Sequence, residues 1–130
     1  NLKIAKFKKF INKLLKVKKN KKKIILVGNG GSAAMASHVS VDFTKVARVP
    51  SETFNNSNLI TCFANDYGYE HWLEKAIDFY GDEGDMLIVI SSSGSSENIL
   101  NAVRAARNNN FIKVVTFSGF DEFTYVNSNP

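Results

Sequence analysis

The hydrophobic positions of the first segment form a helical stripe. Apolar residues recur every three or four positions and lysines fill the gaps between them. This spacing predicts one amphipathic helix of roughly four turns, whose apolar stripe packs against a core or a partner. The apolar positions are Leu2, Phe7, Phe10, Ile11, Leu14, Leu15 and Val17.

The rest of the chain alternates between short apolar runs and helical patterns. The predicted strands are Ile24–Val27, Leu59–Phe63, Met86–Ile90 and Ile112–Phe117. The predicted helices are Ser32–Phe43, Glu70–Tyr80 and Ser96–Asn108, with a loop over residues 45–58. Continuously apolar strands are typical of sheets covered on both faces. We therefore expect an α/β fold, a flavodoxin- or Rossmann-like parallel sheet with helices on both faces, preceded by the N-terminal amphipathic helix.

Glycine-rich residues follow the first predicted strand. Gly28-Asn29-Gly30-Gly31-Ser32 would present backbone N–H groups and a helix N-terminus, which suit a phosphate. Gly28, Gly30 and Ala33 also match the dinucleotide fingerprint, but that match alone is weak. The fingerprint requires an acidic residue at the end of the second strand. The second predicted strand, Leu59–Phe63, has no acidic residue at its end, and the first one after it is Asp66. A nucleotide cofactor is therefore disfavoured.

A serine-rich loop follows the third predicted strand. Capping of the next helix accounts for one serine, whereas several hydroxyl and amide donors together suit the oxygens of a phosphate. Anion binding is thus favoured over capping alone. The loop is Ser91-Ser92-Ser93-Gly94-Ser95-Ser96.

Other polar side chains are expected at the same edge of the sheet. His38 and Asp42 lie four residues apart and therefore on one face of the predicted helix. This spacing could present two metal ligands, or a catalytic carboxylate beside an imidazole. A structural hydrogen bond between them is the alternative. Asn65 and Asp66 suit sugar hydroxyls, and the alternative is an ordinary turn with an Asp cap.

The positive charge belongs to one segment. Residues 1–23 contain eleven lysines and no acid, whereas the remaining 107 residues carry a net charge of −6. A solvated helix face is favoured over nucleic-acid or membrane binding, because the same helix carries an apolar stripe. No apolar run approaches the roughly 18 residues of a membrane span. The single cysteine, Cys62, fits a reducing, cytoplasmic setting.

Taken together, these motifs resemble the sugar isomerase (SIS) domain, and within it the phosphoheptose isomerases. The resemblance covers about Lys23 to Gly119. It predicts an N-terminal helix over residues 1–22, used for packing or oligomerisation, and a SIS domain over 23–130. The motifs are the glycine-rich run, His38, Asn65–Tyr69, Gly84-Asp85 and Ser91–Ser96.

The resemblance implies an aldose–ketose isomerase that converts sedoheptulose 7-phosphate to D-glycero-D-manno-heptose 7-phosphate, for lipopolysaccharide or capsule synthesis. It further implies a cytoplasmic homotetramer and, in some members, zinc held by His38 and the residue at position 42. Asn29, Gly30 and Gly31 would line the substrate, Asn65 and Asp66 would contact the sugar, and Ser91, Ser92, Ser93 and Ser96 would hold the phosphate.

Two departures from the family pattern bear on the chemistry. Asp42 stands where the family has a glutamate that acts as base and zinc ligand, and the aspartate side chain is one methylene shorter. The family continues with a strand and a long helix that carries a catalytic histidine and a glutamine, and we expect these to be missing from residues 23–130. The alternative function is therefore a non-catalytic SIS module, which binds a sugar phosphate or a protein partner such as a replication initiator.

Overall fold

A computed structural model describes residues 1–118 and the backbone of residues 124–126. The helices are α1 (Leu2–Lys19), α2 (Gly31–Asp42), α3 (Ser57–Tyr67), α4 (Trp72–Tyr80) and α5 (Glu97–Asn108). A π-helical turn (Phe43–Ala47) extends α2, and a 3₁₀ turn (Tyr69–His71) precedes α4. The strands are β1 (Ile24–Val27), β2 (Ser51–Glu52), β3 (Met86–Ser91), β4 (Lys113–Ser118) and β5 (Thr124–Val126).

The strands form one sheet in the order β2-β1-β3-β4-β5. The first four are parallel, with Ile24 opposite both Ser51 and Met86, and Met86 opposite Lys113. The parallel α/β fold expected from the sequence is confirmed, and the short strand β5 adds an antiparallel edge next to β4.

Alternate residues of the central strands point to opposite faces of the sheet, as the pleat requires. One face packs on α3, α4 and α5, and the other packs on α1 and α2. The strand residues of the first face are Ile25, Val27, Leu87, Val89 and Val114. Those of the second face are Ile24, Leu26, Met86, Ile88 and Val115. Helices therefore cover both faces, as predicted.

The strand predicted at Leu59–Phe63 is wrong, because these residues lie within helix α3. Asn56 caps this helix, and its side chain accepts hydrogen bonds from the N–H groups of Asn58 and Leu59. The strand beside β1 is instead the pair Ser51–Glu52, inside the region predicted as a loop. A short apolar run with β-branched residues fits a strand or one face of a helix equally well.

A buried carboxylate joins the amino ends of β1 and β3. Asp85 is fully buried and accepts hydrogen bonds from the backbone N–H of Lys23 at 3.0 Å and from its ammonium at 2.7 Å. The backbone N–H of Asp82 adds a third, at 2.8 Å. This cluster fixes the edge of the sheet opposite the polar loops. Among the described residues, no helix is long and apolar enough to cross a membrane.

Candidate functional site

The glycine loop, residues Gly28–Ser32, makes a tight connection from β1 into α2. A Cβ atom at Gly28 would lie 2.8 Å from the carbonyl oxygen of Ile90, so the loop presses against the end of β3. Gly30 has a φ of +54°, which favours glycine, and the carbonyl of Asn29 accepts a hydrogen bond from the N–H of Ser32 at 2.9 Å. A Cβ atom at Gly30 or Gly31 would meet nothing within 4 Å. The N-terminus of α2 therefore opens onto free space.

The serine loop, residues Ser91–Ser96, uses its serines in different ways. Ser91 is buried, and its hydroxyl accepts a hydrogen bond from the N–H of Gly94 at 2.9 Å. The hydroxyl of Ser93 accepts from the N–H of Ser95 at 3.3 Å. Ser96 stands at the N-cap of α5, but its side chain makes no capping hydrogen bond. Its hydroxyl is thus not engaged by the helix it precedes.

A pair of asparagines joins the two loops. The amide nitrogen of Asn29 donates to Oδ1 of Asn98 at 3.0 Å, and the amide nitrogen of Asn98 donates to Oδ1 of Asn29 at 2.8 Å. The hydroxyl of Tyr69 donates to the same Asn29 oxygen at 3.1 Å. The side chain of Asn29 therefore links three elements, namely the end of β1, the start of α5 and the 3₁₀ turn.

A cavity of about 390 Å³ opens beside this junction at the carboxyl edge of the sheet. Its volume lies within the range of small-molecule sites, roughly 300–1,000 Å³. The lining mixes amide, hydroxyl and carboxylate groups, which can hydrogen-bond a polyhydroxylated ligand. The lining residues are Asn29, Tyr69, Glu70, Ser96, Glu97 and Asn98.

His38 and Asp42 share one exposed face of α2, as predicted. Nε2 of His38 lies 3.7 Å from Oδ2 of Asp42, and the two side chains are 81% and 59% exposed. Neither residue lines the 390 Å³ cavity. Catalytic zinc sites have three protein ligands, and the described part of the chain contains no group of three His, Cys, Asp or Glu residues that could hold a metal. The described residues therefore do not complete a zinc site.

Asn65 and Asp66 lie in the last turns of α3 and not in a loop after a strand. Both are exposed, and the amide of Asn65 donates to Oδ1 of Asp66 at 3.3 Å. The thiol of Cys62 donates to the other oxygen of Asp66 at 3.8 Å. Neither Asn65 nor Asp66 lines the cavity, whereas Tyr69 from the same motif does.

Four of the lining residues have no role predicted from the sequence. Tyr69 and Glu70 belong to or follow the Asn65–Tyr69 motif, and Glu97 and Asn98 form the first turn of α5. For Glu97 and Asn98, position was the available signal, because the first turn of a helix that follows a parallel strand lies at the ligand-binding edge. Tyr69 and Glu70 follow helix α3 instead, so this signal does not apply to them.

The chain is similar to known proteins. A family model described as SIS domain matches residues 2–119. A phosphoheptose isomerase from Fusobacterium nucleatum is 39% identical over 111 residues, which cover 82% of this chain and 57% of that relative. One from Aneurinibacillus thermoaerophilus is 40% identical over 110 residues, covering 78% and 54%. The structure of phosphoheptose isomerase GmhA from Neisseria gonorrhoeae aligns with a TM-score of 0.74 at 32% identity, covering 82% of this chain and 58% of that chain.

A polar cavity between two loops at the carboxyl edge of a parallel sheet is typical of the ligand-binding sites of α/β proteins. The family match and the sequence identities show more, namely that this chain belongs to the SIS domain family. The chain spans a little over half the length of these relatives, between 54% and 58%. The resemblance expected from the motifs is confirmed.

Proposed function

We propose that this protein is an aldose–ketose isomerase of a sugar phosphate, with sedoheptulose 7-phosphate as substrate and D-glycero-D-manno-heptose 7-phosphate as product. The observation that carries this proposal is the junction of the glycine loop with the start of α5 around a polar cavity. The relatives named phosphoheptose isomerase support the choice of sugar.

The phosphate binds at the N-terminus of α5. Ser96 offers a hydroxyl that the helix does not use, and Ser92 and Ser93 are exposed beside it. A helix N-terminus adds unpaired N–H groups and a favourable dipole for an anion. Ser91 acts indirectly, since its buried hydroxyl closes the loop. Holding the phosphate here supplies binding energy remote from the reacting carbons.

The sugar lies against the glycine loop. Gly30 and Gly31 leave room for close approach of the substrate to the backbone, and the Asn29 amide lines the cavity. Asn65 and Asp66 contact the far part of the sugar from the exposed end of α3.

Asp42 is the proposed general base. It removes a proton from the carbon next to the carbonyl of the ketose while the carbonyl oxygen gains a proton, which gives an enediol. A second group then gives a proton to the former carbonyl carbon, and the hydroxyl on the adjacent carbon loses its proton to become the aldehyde. No protons or electrons are gained or lost overall. Glu70 and Glu97, which line the cavity, are the carboxylates against which this assignment is tested.

Zinc remains a proposal for the same helix face. His38 and Asp42 offer one nitrogen and one carboxylate ligand, and a zinc ion held there would need further ligands from outside the described residues. No step of the proposed reaction depends on it.

The protein assembles as a homotetramer through α1, in the cytoplasm, where it supplies heptose for lipopolysaccharide or capsule. The support for assembly is an apolar stripe that the fold leaves exposed. Ile4, Phe7 and Leu15 are 55%, 56% and 56% exposed, although Phe10 and Val17 of the same helix are buried against the sheet. Covering such a stripe with a second copy removes apolar surface from water.

The experiment compares carboxylate variants of the full-length protein in a turnover assay with sedoheptulose 7-phosphate. Asp42→Asn is expected to lower kcat by at least about 100-fold, the lower end of the range for general base catalysis, and Glu97→Gln by less than about fivefold. Loss of turnover in Glu97→Gln or Glu70→Gln, with Asp42→Asn fully active, would assign the base to the cavity and not to α2. Binding without turnover in the wild type would favour the non-catalytic module.

A further inference from the structure

We propose that Asn98 is a positioning residue, which sets the orientation of the Asn29 amide toward the sugar and ties that amide to the phosphate-binding helix. This inference rests on the proposed function. Asn98 is only 3% exposed, although it stands in the first turn of α5 at the mouth of a polar cavity. A buried amide is retained where its hydrogen bonds are made, and here they go to the glycine loop.

The hydrogen bonds determine what Asn29 can offer a ligand. A primary amide has two N–H donors and a carbonyl oxygen with two acceptor sites. Oδ1 of Asn29 receives both Asn98 and Tyr69, at 2.8 and 3.1 Å, so its acceptor sites are filled. The amide nitrogen donates one N–H to Asn98 at 3.0 Å. The other N–H remains for the cavity, and it suits a carbonyl or hydroxyl oxygen of the sugar.

The reciprocal pair locks the two amides together. Rotating Asn29 alone would set nitrogen against nitrogen and oxygen against oxygen, at distances where both hydrogen bonds now form. Asn98 follows the Ser96 N-cap by two residues on the same rigid helix. The element that receives the phosphate therefore also fixes the donor that faces the sugar. Misplacement of a binding group by about 1 Å can cost about 100-fold in rate.

Asn109 provides a control at the other end of the same helix. Its amide donates to Oδ1 of Asp78 and to the backbone carbonyl of Ala105, both at 2.8 Å. A substitution there removes amide hydrogen bonds of α5 without touching Asn29 or a residue that lines the cavity.

The experiment is a double-mutant cycle read by calorimetric titration of the full-length protein with sedoheptulose 7-phosphate and, separately, with inorganic phosphate. Asn98→Leu keeps the approximate side-chain shape and adds no charge beside the phosphate site, but it removes both hydrogen bonds to Asn29. We expect Asn98→Leu to lower sugar-phosphate affinity about tenfold and to leave phosphate affinity within about twofold of the wild type. The control Asn109→Leu should leave sugar-phosphate affinity within about twofold. In an Asn29→Ala background, Asn98→Leu should change sugar-phosphate affinity by less than about twofold.

A merely structural role predicts a different pattern. The full tenfold loss in the Asn29→Ala background, or an equal loss of phosphate affinity, would overturn the proposal. If Asn98→Leu does not fold, Tyr69→Phe gives the same test at a 54% exposed side chain. It should weaken sugar-phosphate binding about threefold, and only when Asn29 is present.

The outcomes separate this inference from the function on which it rests. Sugar-phosphate binding by the wild type without turnover would reject the isomerase. The double-mutant cycle would still decide the positioning role of Asn98, because the cycle measures binding alone. Turnover with an additive cycle would reject the positioning role alone. No sugar-phosphate binding by the wild type would reject both.

Discussion

Replacing Gly31 with alanine should raise stability and weaken substrate binding. Gly31 is the first residue of α2, and an added Cβ would meet nothing within 4 Å. Gly30 and Gly94 also have open space, but their φ angles are +54° and +68°. Among the glycines of residues 1–118, Gly31 alone combines open space with a backbone that any residue can adopt.

The two effects have separate magnitudes. Glycine-to-alanine replacement at a compatible position stabilises a protein by about 0.4–1 kcal/mol, chiefly by restricting the unfolded chain. For a domain of this size that gain raises the melting midpoint by about 2–5 °C. The new methyl group projects about 1.5 Å into the space assigned to the sugar. Since errors of about 1 Å can cost about 100-fold in rate, we expect kcat/KM for sedoheptulose 7-phosphate to fall at least about tenfold.

The assay pairs a thermal melt with steady-state kinetics on the same preparations. Ala34→Gly, on the exposed side of α2, is the reverse control: it should lower the midpoint and leave kcat/KM within about twofold. Unchanged kcat/KM in Gly31→Ala would show that the sugar does not approach this backbone. A lower midpoint would contradict the conformation assigned to Gly31.

Three further predictions address other parts of the molecule. In urea melts and phosphate titrations, Ser96→Ala should change the unfolding free energy by less than about 0.5 kcal/mol but weaken inorganic phosphate binding about fivefold. Ser91→Ala should lower the unfolding free energy by about 1 kcal/mol, because it removes the hydrogen bond that closes its loop. Asp85→Asn should destabilise the fold by about 2–4 kcal/mol in urea melts, below the cost for a wholly buried pair because the Lys23 ammonium keeps some solvent contact. Burial disfavours the charged form of Lys23, but its hydrogen bonds to Asp85 and Asp82 outweigh that effect, so the pKa of Lys23 is raised. The stability that charged Lys23 contributes is therefore present at neutral pH and is lost as the pH rises through the raised pKa. Asp85→Asn should make the loss of stability at alkaline pH smaller. Phe7→Lys should give a smaller species in sedimentation velocity without loss of helical content, because it places a charge on the exposed apolar stripe of α1. An unchanged sedimentation coefficient would show that α1 does not form the interface.

Hydrophobic pattern predicted most of the fold because the central strands are buried on both faces. β1 is a continuous apolar run and β3 is apolar up to its last residue, whereas β4 combines Val114, Val115 and Phe117 with polar residues. Each of the three strands lies within about a residue of its predicted bounds. The same logic failed at Leu59–Phe63, where Leu59, Ile60 and Phe63 lie on the face of helix α3 that packs against the core. The true second strand, Ser51–Glu52, is two polar residues at the sheet edge, and no periodicity can identify so short an element.

The sequence was sufficient to predict the loops of the candidate site, because these loops directly follow strands. It was not sufficient to predict the side-chain contacts between the loops, because those contacts depend on how distant parts of the chain pack. The glycine and serine loops lie at the same sheet edge, as their positions after β1 and β3 required. A buried asparagine such as Asn98 has the same sequence signature as an exposed one. Its partner Asn29 lies 69 residues away, and no local pattern records that pairing.

The central claim is that this chain carries the substrate site of a sugar-phosphate isomerase. The most direct measurement incubates the full-length protein with sedoheptulose 7-phosphate and follows the sugar signals by NMR. We expect conversion to the aldose at a rate that depends on protein concentration and falls at least about 100-fold in Asp42→Asn. Equal conversion by wild type and Asp42→Asn would reject Asp42 as the base and leave the isomerase supported. Sedoheptulose 7-phosphate that binds to the wild type but stays a ketose would contradict the central claim.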